Sequence, residues 1–273
     1  MEKVLQIEEY ELKLKEWFES HPKVLVALSG GVDSCLVAWL ARKYNGKSNA
    51  VSLIGVSPSL KQRDLDMAIR FCEANDIEYL KIYPNEIEDE QYASNPVNRC
   101  YFCKSALYKE MLEVQEMYYD GFDILNGNNY SDRGDYRPGM EAAKEFEALS
   151  PLADCGLEKD MIRAISEKYK LEVWDKPASP CMSSRFPYGE QITKDKLKMV
   201  EKAEDLVFDL GFSDVRVRYV ESNAKIEVPA SEIEKLKSVE AQLKGRFEEM
   251  GFGQLEVDEE GLVSGKLNRG IVK

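Results

Sequence analysis

A doubly wound parallel α/β sheet followed by a smaller α+β domain is the fold class that the amino-acid sequence predicts. Three observations predict it. Short continuous apolar runs alternate with helical stripes through the first two thirds of the chain, a glycine turn joins the first run to the first long stripe, and past about Ile192 the pattern changes to alternating strands set between longer helices. A chain of 273 residues accommodates one large domain or two modest ones at ~150 residues each.

Residues 1–18 carry apolar positions at helical spacing among Glu and Lys, which predicts an opening helix ending before His21 and Pro22. Lys23 to Leu28, KVLVAL, reads as a strand buried on both faces. The turn Ser29-Gly30-Gly31-Val32-Asp33-Ser34 leads into an apolar helix from Cys35 to Lys43. A second buried strand spans Ala50 to Val56, a helix follows from about Leu60 to Asn75, and a third strand covers Glu78 to Ile82. Residues 83–105 are polar, include Pro84 and Pro96, and read as a loop entering a helix at about Cys103. Asp123 to Leu125 is a short strand, Tyr130 to Gly139 a long loop, and about Glu158 to Tyr169 a further helix. Lys176 to Gly189, with three prolines, is the natural connection, which puts the domains at residues 1–185 and 186–273. Beyond it come a helix from Lys194 to Leu210 with Gly211 at the C′ position, a hairpin of 214–219 with 224–228, a helix from Ser231 to Met250 and a last strand at Gln254 to Val257.

Composition narrows the function. With 44% apolar and 32% charged residues the chain is globular rather than collagenous or disordered. The net charge of −13 removes the electrostatic drive for non-specific binding to nucleic acid or to an anionic membrane. No run of about 18 apolar residues appears, and the start resembles neither a signal nor a transit peptide, so a cytosolic location is expected. His21 is the single histidine, which disfavours a Ser-His-Asp triad and removes multi-histidine metal sites, leaving sulfur or oxygen to hold any metal. In that compartment the six cysteines are buried, catalytic or metal-binding rather than disulfide-bonded.

The 29–34 turn lacks the lysine and spacing of a kinase-type P-loop. Adjacent glycines at a helix mouth nevertheless aim backbone N–H groups at an anion, Ser29 and Ser34 add hydroxyls, and Asp33 offers an oxygen to Mg2+. A plain strand-to-helix turn would also need glycine there. Farther on, Val215-Arg216-Val217-Arg218 alternates at period two, so Arg216 and Arg218 share one strand face and form a fork for phosphate or carboxylate, unless that face is merely solvated. Cys35 and Cys72 fall in apolar helical stripes and read as small core hydrophobes.

The 29–34 string resembles the PP-loop signature of the ATP pyrophosphatase superfamily, whose members cut ATP between the α- and β-phosphates. The strings at 98–104 (NRCYFCK), 134–139 (GDYRPG) and 179–189 (SPCMSSRFPYG) together resemble the LarE family of ATP-dependent sulfur transferases, over almost the whole chain. That resemblance implies a cytoplasmic enzyme using ATP and Mg2+ to adenylate a carboxylate of pyridinium-3,5-biscarboxylic acid mononucleotide, a precursor of the nickel-pincer cofactor of lactate racemase, before sulfur replaces AMP. It implies as partners the small-molecule nucleotide, other pincer-cofactor proteins and a sulfide source, no nucleic acid and no membrane, and a homo-oligomer, often a hexamer. For the site it implies ATP contacts from Ser29, Gly30, Gly31, Asp33, Ser34, Ser57, Gly127 and Arg137, with Asp33 and Asp132 serving Mg2+. Cys181, Ser184, Arg185 and Glu204 stand at the sulfur-transfer centre, Ser184 and Arg185 orienting the acyl group or its phosphate, and Arg216 and Arg218 hold substrate.

Cysteine usage departs from single-cysteine relatives, in which the residue matching Cys181 surrenders its own sulfur and becomes dehydroalanine. Cys100, Cys103 and Cys181 together can hold a [4Fe–4S] cluster with one open iron for exogenous hydrosulfide. Three other readings stay open: the sacrificial version, a tRNA thiolase, and a nucleotide-binding regulatory module stabilised by zinc, which Cys155 could help to ligate. A lone C-x-x-C is more often a zinc half-site or redox pair than a cluster site.

Overall fold

A computed structural model describes residues 2–134, 138–263 and 265–270. The chain forms two compact units: Met1–Glu86 with Asn98–Ser179, and Ile87–Val97 with Pro180–Lys273.

The first unit contains α1 (Glu2–Ser20), β1 (Val24–Ala27), α2 (Val32–Asn45), β2 (Ala50–Gly55), α3 (Gln62–Ala74) and β3 (Glu78–Ile82). The chain then contributes α4 (Glu90–Ala93) to the second unit and returns for α5 (Arg99–Tyr118), β4 (Asp123–Leu125), α6 (Pro138–Glu145), α7 (Pro151–Asp154) and α8 (Lys159–Lys168). The four strands run parallel in the order β3-β2-β1-β4. Helices cover both faces because β1 is apolar on both. Val24 and Val26 pack with Leu14, Leu36, Phe71 and Ile165, whereas Leu25 and Ala27 pack with Tyr108, Met111 and Ala142. Alternate side chains of a strand point to opposite faces, so a continuous apolar run is what two helical layers require. β3, at the edge, is largely exposed along its length. Strand order reverses between β1 and β4, and ligands of such sheets bind beyond the strand ends at that crevice.

The second unit holds α9 (Lys194–Asp209), β5 (Arg216–Val220), β6 (Asn223–Glu227), α10 (Ile233–Met250) and β7 (Leu255–Val257). β5 and β6 form an antiparallel hairpin and β7 joins β6 in parallel. Thr193 caps α9, accepting from the Lys196 N–H at 3.2 Å. The 87–97 excursion is stitched to the stretch after Cys181: Gly189 N–H donates to the Asn95 carbonyl at 2.9 Å, Ile192 N–H to the Ala93 carbonyl at 2.8 Å, and Asn95 Nδ2 to the Pro187 carbonyl at 2.6 Å.

One stretch departs from the sequence expectation. Cys100 and Cys103 lie in the first two turns of α5, which starts at Arg99, rather than in a loop. The 176–189 stretch contains the division between the units, at Ser179 and Pro180, and its second half is ordered by a 3-10 turn at Met182–Arg185, with Met182 and Phe186 fully buried. Among the described residues no helix is long and apolar enough to cross a membrane.

Candidate active site

The turn after β1 builds an anion cradle. Ser34 Oγ accepts from the Ser29 N–H at 3.2 Å, lies 3.0 Å from Ser29 Oγ and donates to the Gly31 carbonyl at 3.2 Å, so the loop is wrapped on its own hydroxyls. Gly31 is the N-cap residue of α2 and has no capping side chain, leaving the first amides of a helix open toward the crevice. Gly127, just after β4, meets this turn so closely that a β-carbon would stand 2.8 Å from the Ser34 nitrogen and 3.0 Å from its Cα. Gly127→Ala is therefore expected to displace the head of α2, at roughly 1–3 kcal/mol for overpacking. Its ATP affinity should fall at least about tenfold, since 1.4 kcal/mol is a factor of ten; calorimetric titration would show this.

Asp33 extends from the same turn. Its Oδ2 accepts from Lys159 Nζ on α8 at 2.6 Å, while its Oδ1 is buried with no hydrogen-bond partner. Burial pushes the Asp33 carboxyl above its ordinary range, opposed by the Lys159 ammonium and reinforced by the Asp132 carboxylate. Asp132 itself is buried and accepts from the Asn129 N–H at 3.0 Å. An orphaned carboxylate oxygen beside a second carboxylate fits Mg2+, which uses one or two carboxylates plus phosphate oxygens. Ser57, after β2, closes its own turn, with Oγ 2.7 Å from Ser59 Oγ, and Ser59 in turn donates to Glu86. Arg137 lies outside the described residues.

The cysteines sort by exposure. Burial pushes the Cys35 thiol far up, the Cys72 thiol to about 12 and the Cys155 thiol to about 11, so none is a thiolate near neutral pH. Cys100 and Cys181 are exposed and Cys103 is half-buried. Residues i and i+3 share a helix face, so Cys100 and Cys103 present two sulfur donors together. Cys181 belongs to the second unit. Among the described residues no group of three His, Cys, Asp or Glu side chains is assembled to hold a metal ion. An all-thiol donor set of exposed and half-exposed side chains suits an iron–sulfur cluster, and the pair on α5 fits two of its ligands.

Around Cys181 the second unit is built on a buried ion pair. Arg185 Nε and Nη2 donate to Glu204 Oε1 and Oε2 at 2.7 and 3.1 Å, with the two side chains only 1% and 6% exposed. Arg185 Nη1 turns back onto the loop, donating to the Pro180 carbonyl at 2.8 Å, the Cys181 carbonyl at 3.3 Å and Ser184 Oγ at 3.0 Å. Glu204 Oε1 also accepts from the Val217 N–H at 2.9 Å, tying α9 to β5. Arg185 thus divides its donors between Glu204 on α9 and its own loop.

On β5, Arg216 and Arg218 share the half-buried face, with Val217 buried opposite. Arg218 is committed to Glu227, at 3.0 and 2.8 Å, and to the Ser184 carbonyl at 2.6 Å. Arg216 makes no ion pair or side-chain hydrogen bond among the described residues. Burial lowers its pKa and neighbouring Arg185 and Arg218 lower it further, opposed by the Asp214 and Glu227 carboxylates. The sequence analysis missed Lys159, Glu227 and Lys176, whose ammonium reaches the Gly30 carbonyl; a lysine or glutamate distant in the chain carries no local motif.

A 3-2-1-4 parallel sheet with a Ser-Gly-Gly-x-Asp-Ser cradle at its switch point defines an enzyme of the PP-loop ATP pyrophosphatase class. A family model described as NAD synthase matches residues 7–98. Pyridinium-3,5-bisthiocarboxylic acid mononucleotide synthase of Lactiplantibacillus plantarum is 30% identical over 92% of this chain and 91% of its own. An uncharacterized protein of Synechocystis sp. is 42% identical over 95% of this chain and 97% of its own, and one of Methanocaldococcus jannaschii 27% identical over 88% and 90%. The chain belongs to the LarE family of sulfurtransferases.

Proposed function

We propose that this enzyme activates a carboxylate of pyridinium-3,5-biscarboxylic acid mononucleotide with ATP and replaces the resulting AMP by sulfur. The observation that carries the reading is the exposed Cys181 on a loop pinned by the buried Arg185–Glu204 pair, in the same unit as Arg216 and Arg218, which share one face of β5. In the first step a substrate carboxylate oxygen attacks the α-phosphorus of ATP, and the bond to the bridging oxygen breaks to release pyrophosphate. The open amides of α2 and the Ser29 hydroxyl receive the departing charge, and Asp33 and Asp132 would hold Mg2+. In the second step a sulfur nucleophile adds to the acyl carbon and AMP leaves with the bonding electrons, which is favourable because AMP is a far better leaving group than oxide.

Arg216 binds a phosphate or carboxylate of the substrate. Arg218, Arg185 and Glu204 act one step removed, fixing the backbone that carries Cys181 and Ser184. Cys100, Cys103 and Cys181 would hold a [4Fe–4S] cluster, which when bound supplies an open iron for exogenous hydrosulfide. A sulfide source, other proteins of pincer-cofactor assembly and a homo-oligomer belong to the same reading, with a cytoplasmic location.

Protein isolated without oxygen is expected to contain iron and acid-labile sulfide and to be brown. Cys100→Ala and Cys103→Ala should each lose most of the iron and the visible absorbance while keeping the fold, because both positions lie on an accessible helix face. Iron and sulfide assays check this, and zinc in place of iron would refute the cluster. A mass spectrum after one turnover tests the sacrificial version, in which Cys181 becomes dehydroalanine.

A further inference from the structure

Lys176 lies past α8, near the end of the first unit, on the stretch that leads to Cys181. Its backbone is clamped by Arg163 of α8, whose Nη1 donates to the Trp174 carbonyl at 2.6 Å and whose Nη2 donates to the Lys176 carbonyl at 2.7 Å. The ammonium is turned inward, its side chain 12% exposed. It donates to the Gly30 carbonyl at 2.8 Å and to Asp64 Oδ1 at 2.8 Å, and Ser179 Oγ donates to Asp64 Oδ2 at 2.7 Å. Asp64 stands in the first turn of α3, which presses on the cradle: Gly30 has φ +73°, and a β-carbon there would meet the Asp64 carbonyl oxygen at 2.9 Å.

Two consecutive glycines leave the peptide between them nearly free to turn over. In a trans peptide the carbonyl and the following N–H point in opposite directions. A hydrogen bond from Lys176 to the Gly30 carbonyl therefore also sets the direction of the Gly31 N–H, away from Lys176. Gly31 is also the N-cap residue of α2, with no side chain to cap the helix. Reversal of this peptide would replace a donor by a carbonyl oxygen facing the polyphosphate.

We infer that Lys176 is the positioning residue of the phosphate cradle: by holding the Gly30 carbonyl it fixes the peptide whose N–H, on Gly31, donates to the pyrophosphate moiety of ATP, and Asp64 holds Lys176 in place. Sequence alone hides this, because the lysine lies 146 positions from the glycine. The inference rests on the ATP-binding reading of the loop.

The test is calorimetric titration of the full-length protein with Mg2+ and inorganic pyrophosphate, and separately with α,β-methylene-ATP and with AMP. The double variant Lys176→Met/Asp64→Asn removes both charges together, so no inward-facing carboxylate is stranded. It should bind pyrophosphate and α,β-methylene-ATP about 10–100-fold more weakly, the worth of one hydrogen bond to a charged acceptor. AMP should bind within about threefold of wild type by the same measure, since it lacks the pyrophosphate group. Lys176→Arg, which keeps a donor, should recover most of the pyrophosphate affinity. Unchanged pyrophosphate binding overturns the inference, and so does an equal loss for AMP and pyrophosphate accompanied by a lowered melting temperature, the mark of a merely structural lysine. Failure of the wild-type protein to bind either polyphosphate would instead overturn the ATP reading itself.

Discussion

Cys181→Ala is expected to abolish sulfur transfer while leaving adenylation within about threefold of wild type, a difference of under 1 kcal/mol. Removal of the group that carries the reacting sulfur, as cluster ligand or as donor, costs on the order of 10⁴–10⁶-fold. The clean separation follows from how the residue is held. Only its backbone is engaged, the carbonyl accepting from Arg185 Nη1 at 3.3 Å and from the Ser184 N–H at 3.0 Å. Alanine keeps that carbonyl, so the loop stays in place when the sulfur is gone. The groups proposed for adenylation, from Ser29 to Ser34 with Asp132, belong to the first unit and Cys181 to the second. Substrate-dependent exchange of pyrophosphate into ATP measures the first half, and thiocarboxylate formation the second. Wild-type levels of thiocarboxylate from the alanine variant would remove Cys181 from the chemistry. Loss of the exchange as well would mean that the two half-reactions share this residue.

Local pattern carried most of the fold. KVLVAL could only be a strand covered on both faces, and the glycine pair after it could only be a tight approach to a helix, because each is dictated by residues adjacent in the chain. The start of α5 was misplaced for an equally local reason: Pro96 and the polar run before it mark a break, but nothing there fixes whether the helix resumes at Arg99 or at Cys103. The prolines of 176–189 mark the connection between the units, but they hide the burial of Met182 and Phe186, which only the core of the second unit explains. The candidate site divides along the same line. Ser29, Asp33, Cys181 and the arginine fork sit in recognisable strings. What holds them does not, since Lys159 pairs with Asp33 across 126 positions and Glu204 with Arg185 across 19.

Charge explains why these long-range pairs are so numerous around the sulfur loop. The chain as a whole carries −13, yet Arg216 has its pKa lowered, first by burial and then by the nearby Arg185 and Arg218 guanidiniums. Glu204 and Glu227 each neutralise one guanidinium with near-bidentate geometry, and Lys266 comes within 3.5 Å of Glu227 from the other side. Two of the three arginines are thereby paired with carboxylates, and in the proposed reading the third, Arg216, meets the substrate anion. Fixed, part-desolvated positive potential costs little to reorganise when an anion arrives, which is how a prebuilt site gains over water. An overall acidic surface then favours small anions that fit the fork over large polyanions such as nucleic acid, whose many phosphates would meet the surrounding carboxylates.

Glu204→Ala should be the most destabilising substitution near the site. It leaves the Arg185 guanidinium, 1% exposed, without its carboxylate and the Val217 N–H without an acceptor. Breaking a buried pair from one side costs roughly 3–5 kcal/mol, a drop on the order of 10 °C or more in the melting temperature of a unit of this size. That loss alone would not distinguish a pair that stabilises from one that positions. Arg185→Leu/Glu204→Leu makes the distinction, because replacing both ions by apolar groups of similar volume is often neutral or better. The double variant is expected to recover to within about 1–2 kcal/mol of wild type, measured by denaturant unfolding. Nevertheless the Pro180 and Cys181 carbonyls lose the donor that fixes them, and a displacement of the reacting group by about 1 Å costs on the order of 100-fold in rate. Sulfur transfer should therefore stay depressed by about that factor in a protein whose stability has returned, with adenylation unchanged. Restoration of transfer together with stability would show that the pair only holds α9 to β5, and that the loop bearing Cys181 keeps its shape without Arg185.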